Sequence, residues 1–345
     1  MTNIWRVARF FWASIILSIV GIIAAGIFGG PSLALVVAIL ALLEVSLSFE
    51  NAVVNATVLA RMSAFWQKMF LTVGILIAVV GMRLFFPLAI VAATASLGMG
   101  EVLDLALHHP LEYAEKLHHA HPLIAAFGGI FLLMVFLDFI LDKGKRVHWI
   151  ESIERPLAKA GQLKLVPVIL AIIALGAVSA WVAPEPKPVL TGGLFGLGAY
   201  LGVRFLSLIF EKIGGIDPED VHPHAPATPV TGLAAFGLFA YLEVLDASFS
   251  FDGVVGAFAV TSNVFAIMLG LGIGALVVRE LTVWLVRHDT LKELIYLEHG
   301  AYYAVGALAV MLGISLRVEV PEAVTGLIGA AIIAASLVSS LRAKT

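Results

Sequence analysis

An all-α, polytopic transmembrane bundle of about ten helices is the fold this sequence predicts, arranged as two five-helix halves threaded oppositely through the bilayer. Three observations predict it: the composition, the spacing of apolar stretches, and an internal repeat that places acids inside those stretches. Of 345 residues, 61% are hydrophobic and 13% charged, where a soluble domain is about 45–50% apolar and about 25% charged. The net charge of −3 gives no basic field for nucleic acid. With no cysteine in the chain, disulfides, thiolate metal sites and thiol redox chemistry are excluded.

A bilayer core about 30 Å thick takes roughly 20 apolar residues of helix. Ten stretches reach that length: 10–28, 32–60, 68–94, 123–141, 165–183, 189–210, 230–260, 264–286, 296–316 and 323–341. Longer polar connectors fall at 95–122, 142–164 and 211–229. The strict alternation of a barrel strand is absent. Starting with Arg6 and Arg9 inside, the inside segments carry 15 basic residues and the outside connectors 3, the bias expected of ten crossings with both termini cytoplasmic in the inner (plasma) membrane. Ala24, Ala25 and Gly26 resemble a signal-cleavage site, but the apolar run of about 19 residues exceeds a signal core and reads as a retained helix.

The repeat is the most informative feature. Residues 43–53, LEVSLSFENAV, align without gaps with 245–255, LDASFSFDGVV, at an offset of 202, sharing Leu, Ser, Ser, Phe and Val. Glu44 then faces Asp246, and Glu50 faces Asp252. Gly74 and Arg83 in the next stretch match Gly270 and Arg279, nine residues apart in both. Five stretches separate the copies, and an odd shift reverses direction. Residues 1–183 (helices 1–5) and 184–345 (helices 6–10) therefore read as an inverted repeat within one membrane domain, an architecture of secondary transporters that bind substrate at the midplane.

A carboxylate in hydrocarbon costs at least about 2.5–3.5 kcal/mol on insertion scales, so paired acids call for a cation, a proton or a wet cavity. Glu44, Ser48, Asn51 and Asn55 fall on one helical stripe, and Ser46 with Glu50 on a second. Six residues of helix turn about 600°, which points Glu44 and Glu50 roughly 120° apart unless the helix unwinds near Ser46–Phe49. The second copy keeps Ser248 and Ser250 but has Gly253 and Ala257 in place of the asparagines, so the site is expected to be asymmetric. Carboxylate, amide and hydroxyl oxygens suit Mg²⁺, Ca²⁺ or Mn²⁺ over soft metals. The alternative is a structural network of acids paired with Arg83 and Arg279. Those arginines read equally as snorkelling to the interface or as counter-charges that replace the cation.

Asp138 and Glu298 lie in corresponding helices 4 and 9 and are candidate supporting residues. His108, His109, His118, His119 and His121 crowd the connector at 95–122, read as a solvated outside loop. Asp217, Glu219, Asp220, His222 and His224 fall in the Pro-rich connector at 211–229. Gly192, Gly193, Gly196 and Gly198 suit close helix packing, and 142–160 reads as a basic interfacial helix on anionic lipid.

The two acidic motifs resemble those of the TerC family of bacterial integral membrane proteins, the first with Glu44, Glu50 and Asn51, the second with Asp246 and Asp252. Glu50 for the usual Asp, Gly253 after the second acid and the His-rich connector depart from the family pattern. The resemblance implies export of a divalent cation, Mn²⁺ foremost, a link to tellurite and metal stress, and kinship with the LysE-type exporters. The resulting expectation is a non-enzymatic secondary transporter. Its metal site would be Glu44, Glu50, Asn51, Asp246 and Asp252, supported by Ser48, Asn55, Ser250, Asp138, Glu298, Arg83 and Arg279. Its partners would be the lipid bilayer, the transported cation and protons, with no nucleic acid and no cofactor beyond the cargo; homo-oligomerisation is left open. No HExxH or GxSxG motif points to an enzyme. A membrane scaffold without transport is the competing class.

Overall fold

The computed structural model describes residues 10–145, 147–161, 165–213, 229–261, 263–288, 290–318 and 320–343, and every regular element among them is helical. Among the described residues, eight helices are long and apolar enough to cross a bilayer, with a shorter apolar one at Val166–Val182. The difference from ten has a local cause in α1 (Trp12–Leu47). Gly30, inside it, sits at φ +79° and ψ 176°, a region glycine enters at little steric cost, and Pro31 brings no N–H to continue the ladder. The chain doubles back there. Ser14 bonds Glu280 and Gly21 lies against Ile273, while on the return Leu40 lies against Gly270 and Glu44 against Gly274. α1 thus makes two antiparallel passes, at the first two of the apolar stretches.

The return pass ends at Ser48, at φ −105° and ψ 19°, which divides α1 from α2 (Phe49–Leu59). This break falls in the window where the spacing of Glu44 and Glu50 asked for one. α3 (Ala64–Leu76) widens into a π-helical stretch, Ile77–Phe85, before α4 (Phe86–Ala95). Arg83 lies in the widened turn and donates from Nη1 to the Ala78 carbonyl at 2.8 Å.

The connector at 95–122 is helix, where the sequence reading expected a loop. Glu101 accepts from the Gly98 N–H at 2.9 Å and starts α5 (Met99–His108), whose last turn holds an Asp104–His108 pair at 2.7 Å. Pro110 then opens α6 (Pro110–Ile140) at a position that needs no N–H. The segment 142–160 is likewise corrected: only α7 (Glu151–Ala160) is helical, and Lys145 ahead of it is buried rather than on lipid. α8 (Val166–Ala177) with a short π turn, α9 (Pro186–Ile213), α10 (Gly232–Val260), α11 (Val264–Arg287), α12 (Thr290–Glu293), α13 (Leu297–Ser315) and α14 (Glu322–Ala343) complete the bundle.

The return pass of α1 runs along α11 in the same direction, and α10 joins α11 through the short turn after Val260, so α10 and that pass oppose each other. α2 is packed by α10 and α11 on one side and by α13 and α14 on the other. The main core draws Val53, Phe131, Val135, Leu245 and Val305 together from α2, α6, α10 and α13. One end of the bundle gathers the basic connectors: Val230 pairs with Arg61 and Ser63, Val147 with His299, Tyr296 with Ser340, and Phe10 with His288. This is the basic face below.

In the glycine-rich run on α9, Gly192, Gly193 and Gly196 serve close helix packing as expected, whereas Gly198 faces open space and does not. A Cβ on Gly192 would stand 1.9 Å from the Leu123 carbonyl oxygen, and one on Gly196 2.2 Å from that of Phe127. Both obstacles are backbone, so α6 and α9 would have to separate. Gly196→Ala is expected to cost about 1–3 kcal/mol, read as thermal unfolding in detergent, while Gly198→Ala, with nothing within 4 Å of its Cβ, should be silent.

Candidate functional site

Beside the break at Ser48, the bundle buries Glu44, Asn51, Asn55, Arg83, Glu243, Asp246 and Arg279. Arg83 forms an ion pair with Glu44, which also accepts from Ser48 Oγ at 3.3 Å. Arg279 grips Glu243 with both terminal nitrogens, at 3.0 and 2.9 Å, and reaches Asp246 at 2.8 Å. It donates further to the Phe70 carbonyl at 3.0 Å and lies 4.2 Å over the Phe70 ring. Gly74 is what admits it, since a Cβ there would fall 2.1 Å from Nη1. Asn51 donates to the other oxygen of Asp246 at 2.7 Å, and Asn55 donates to Asn51 at 2.8 Å. The Nε atoms of both arginines and Oδ1 of Asn55 are buried with no hydrogen-bond partner among the described residues.

The two arginines do not snorkel. Arg83 pairs with Glu44 and Arg279 with Asp246, and these pairs occupy positions matched in the sequence repeat. Glu50 is only 6% exposed, yet it turns away from Asn51 and packs against Gly329 of α14, with no cation at ion-pair distance among the described residues. Adjacent helical residues point about 100° apart, which places Asn51 and Glu50 on different sides of α2. The side chains of Ser250 and Asp252 lie outside the described residues, as do Asp217, Glu219, Asp220, His222 and His224. Asp138 stands apart from the cluster, ion-paired with Arg204 and accepting from Tyr200. Glu298 also stands apart, in the first turn of α13. Among the described residues no three His, Asp or Glu side chains stand together so as to hold a metal ion.

Glu243 was invisible to the repeat comparison because its partner position is Ala41. Its signal was the spacing to Asp246, three residues on and on the same helical face. Glu280, bonded by Ser14 at 2.6 Å, faces Leu84 in the Arg83–Arg279 alignment and was missed for the same reason.

A second buried polar cluster lies at the basic face. Glu154 is fully enclosed and takes Lys145 Nζ at 3.0 Å, His148 Nδ1 at 3.3 Å, His299 Nε2 at 3.4 Å, and the Trp149 and Ile150 N–H groups at 3.1 and 3.2 Å. Burial pushes its carboxyl up, but His299 and Lys145 outweigh that and hold it well below the usual range. A depressed carboxylate contributes its stability above the ordinary value of 4.5 and loses it as pH falls toward the folded value. The cluster is therefore intact throughout the neutral range.

Residues 49–345 match the family described as protein of unknown function (DUF475). The chain belongs to that family. It is also similar to the protein named uncharacterized membrane protein YceF of Bacillus subtilis (strain 168), 33% identical over 144 residues, which are 40% of this chain and 55% of that relative. The chain thus aligns with about half the length of that curated relative. No solved structure matches it. The relative's name and the eight apolar helices among the described residues agree on a multi-pass membrane protein. The TerC likeness rests on the two acidic motifs alone.

Proposed function

We propose that this member of the family is a secondary transporter of divalent metal cations, exporting Mn²⁺ foremost from the cytoplasm across the plasma membrane in exchange for protons. One observation carries the reading: among the described side chains, Glu44, Glu243 and Asp246 are buried with the guanidiniums of Arg83 and Arg279, and Glu50 is buried on another side of α2, so with all four ionised these carboxylates would exceed the two arginines by two charges. A bundle interior tolerates such an excess only with a cation, protons or water, and two charges match one divalent ion. Glu44, Glu50, Asn51, Asp246 and Asp252 would supply the oxygens, with Ser48, Asn55 and Ser250 beside them, and the arginines would replace the ion when it leaves.

The sequence repeat, read as two inverted halves, supports the same reading. The Glu44–Arg83 and Asp246–Arg279 pairs are equivalent under it. So is the packing of Gly74 on Glu243 of α10 and of Gly270 on Leu40 of α1, each across to the other half. Halves 1–183 and 184–345 would rock about the shared site. The TerC resemblance adds the link to tellurite and metal stress. The scaffold reading draws on the pairing itself, since a closed arginine–carboxylate network can be structural. Flux separates the two. Proteoliposomes holding the protein are expected to pass isotopic Mn²⁺ well above empty vesicles, with Mg²⁺, Ca²⁺ and Zn²⁺ as competitors ranking selectivity. Background flux from folded, correctly reconstituted protein would leave the scaffold.

A further inference from the structure

We infer that the transported cation is seated on Glu44 Oε2, in the room that Gly253 of α10 leaves by carrying no side chain, and that Gly253 thereby sets which cations fit. The seat rests on the transporter reading and narrows it to one oxygen.

Three carboxylates meet in the acid–arginine cluster, and among the described residues every oxygen of theirs but one is taken. Glu243 gives both of its oxygens to Arg279, at 3.0 and 2.9 Å. Asp246 accepts from Asn51 at 2.7 Å on one oxygen and from Arg279 at 2.8 Å on the other. Glu44 Oε1 takes both Arg83 and Ser48. Glu44 Oε2 accepts from no described residue, although Glu44 is only 5% exposed. Buried polar atoms are normally satisfied, and a hard divalent cation is a partner that carboxylate oxygen satisfies well. The oxygen is also held in place. The Glu44 stem lies in the hollow of Gly274, where an added Cβ would come 2.4 Å from the Glu44 Cβ and 2.5 Å from its Cγ. With Oε1 held by Arg83 and Ser48, Oε2 lies at α10, 3.2 Å from where a Gly253 Cβ would stand. Among the described residues no other neighbouring atom comes within 4 Å of that point.

The sequence repeat identifies what is missing there. At the offset of 202, Glu44 matches Asp246 and Asn51 matches Gly253. Asn51 of the first copy covers Asp246 of the second, and the reciprocal place, beside Glu44, is occupied by the glycine. One of two equivalent acids is thus closed by an amide and the other is left open. Neither common use of glycine accounts for Gly253. Positive φ among the described glycines is confined to Gly30 and Gly232, so the backbone at 253 accepts any residue. Close helix approach is no reason either. A Cβ on Gly192 or Gly196 would strike backbone, whereas one on Gly253 meets only the end of a side chain. Glycine is otherwise a poor choice inside a helix. What it supplies here is room beside a carboxylate oxygen, with water free to complete the shell of the ion.

Mn²⁺ binding to the purified full chain in detergent, followed by loss of the free-ion paramagnetic resonance signal, tests the seat. Glu44→Gln removes the oxygen and defines the share of bound Mn²⁺ that belongs to the cluster. Gly253→Asn, which would cover Oε2 as Asn51 covers Asp246, is expected to weaken that share at least tenfold with thermal unfolding unchanged. Gly253→Ala asks the carboxylate to yield only a few tenths of an ångström, so it keeps the fold if the larger side chain does not. It should weaken Ca²⁺ more than Mg²⁺ in competition with Mn²⁺, because Ca²⁺ takes oxygens at about 2.3–2.6 Å and Mg²⁺ at about 2.0–2.1 Å. A glycine needed only for packing would weaken all three ions alike, in step with lost thermal stability, and that result overturns the seat. So does Mn²⁺ affinity unchanged in both Gly253 variants. Wild-type protein that binds and passes Mn²⁺ while ignoring Gly253 loses the seat alone, whereas wild-type protein that neither binds nor passes Mn²⁺ loses the transporter reading as well.

Discussion

Replacing Arg279 with methionine is expected to cost the protein about 3–5 kcal/mol of stability, the penalty for stranding buried partners of a broken ion pair. Arg279 is the most demanding case in the bundle because it is 1% exposed and serves two carboxylates, Glu243 and Asp246, besides the Phe70 carbonyl. Methionine fills much of the volume but satisfies none of these. Arg83→Met should cost less, since it strands Glu44 alone and Ser48 still donates to that carboxylate. Thermal unfolding in a mild detergent measures both. Adding Glu243→Gln and Asp246→Asn to Arg279→Met should recover most of the loss, because a neutral cluster needs no guanidinium. A loss below about 1 kcal/mol in Arg279→Met would mean that the acids sit neutral in the resting protein, and the charge excess behind the proposed function would go with it.

What the sequence could disclose depended on whether a feature left a periodic trace. Apolar length located the crossings, and helix arithmetic on Glu44 and Glu50 left two outcomes, an unwinding near Ser46–Phe49 or separate surroundings for the two acids; the chain breaks at Ser48, and Glu50 still packs apart, against Gly329. Arg83 and Arg279 were found by their repeat spacing, yet their fate was ambiguous: snorkelling and burial begin from the same residue in the same stretch, and only the partner decides. Glu243 carries half of that decision and sits opposite an alanine in the repeat. The His-rich connector misled because histidine and proline density reads as loop, whereas Asp104–His108 pairing and Pro110 at a helix start make it helix. Lys145 misled for a related reason. Basic residues beside a membrane usually face lipid headgroups, but a carboxylate nine residues on, arriving by a turn rather than a helix, pulled this one inside.

Asp246→Asn is expected to drop divalent-cation flux at least tenfold, about 1.4 kcal/mol in the barrier or affinity, while leaving the fold nearly untouched. The amide oxygen can still accept from Asn51, and Arg279 keeps both bonds to Glu243, so about 1 kcal/mol of stability is at stake. What changes is the charge balance, from an excess of two negative charges over the arginines to one. Glu50→Gln removes one charge as well, from the other side of α2 and without touching either guanidinium. If the ion is held by net charge shared across the break at Ser48, both substitutions should abolish flux alike. If Asp246→Asn is silent with protein folded and inserted, the arginine-bound cluster is structural. A silent Glu50→Gln beside an inactive Asp246→Asn would confine the ion to the α1–α10–α11 side, and the match between two excess charges and one divalent cation would no longer explain it.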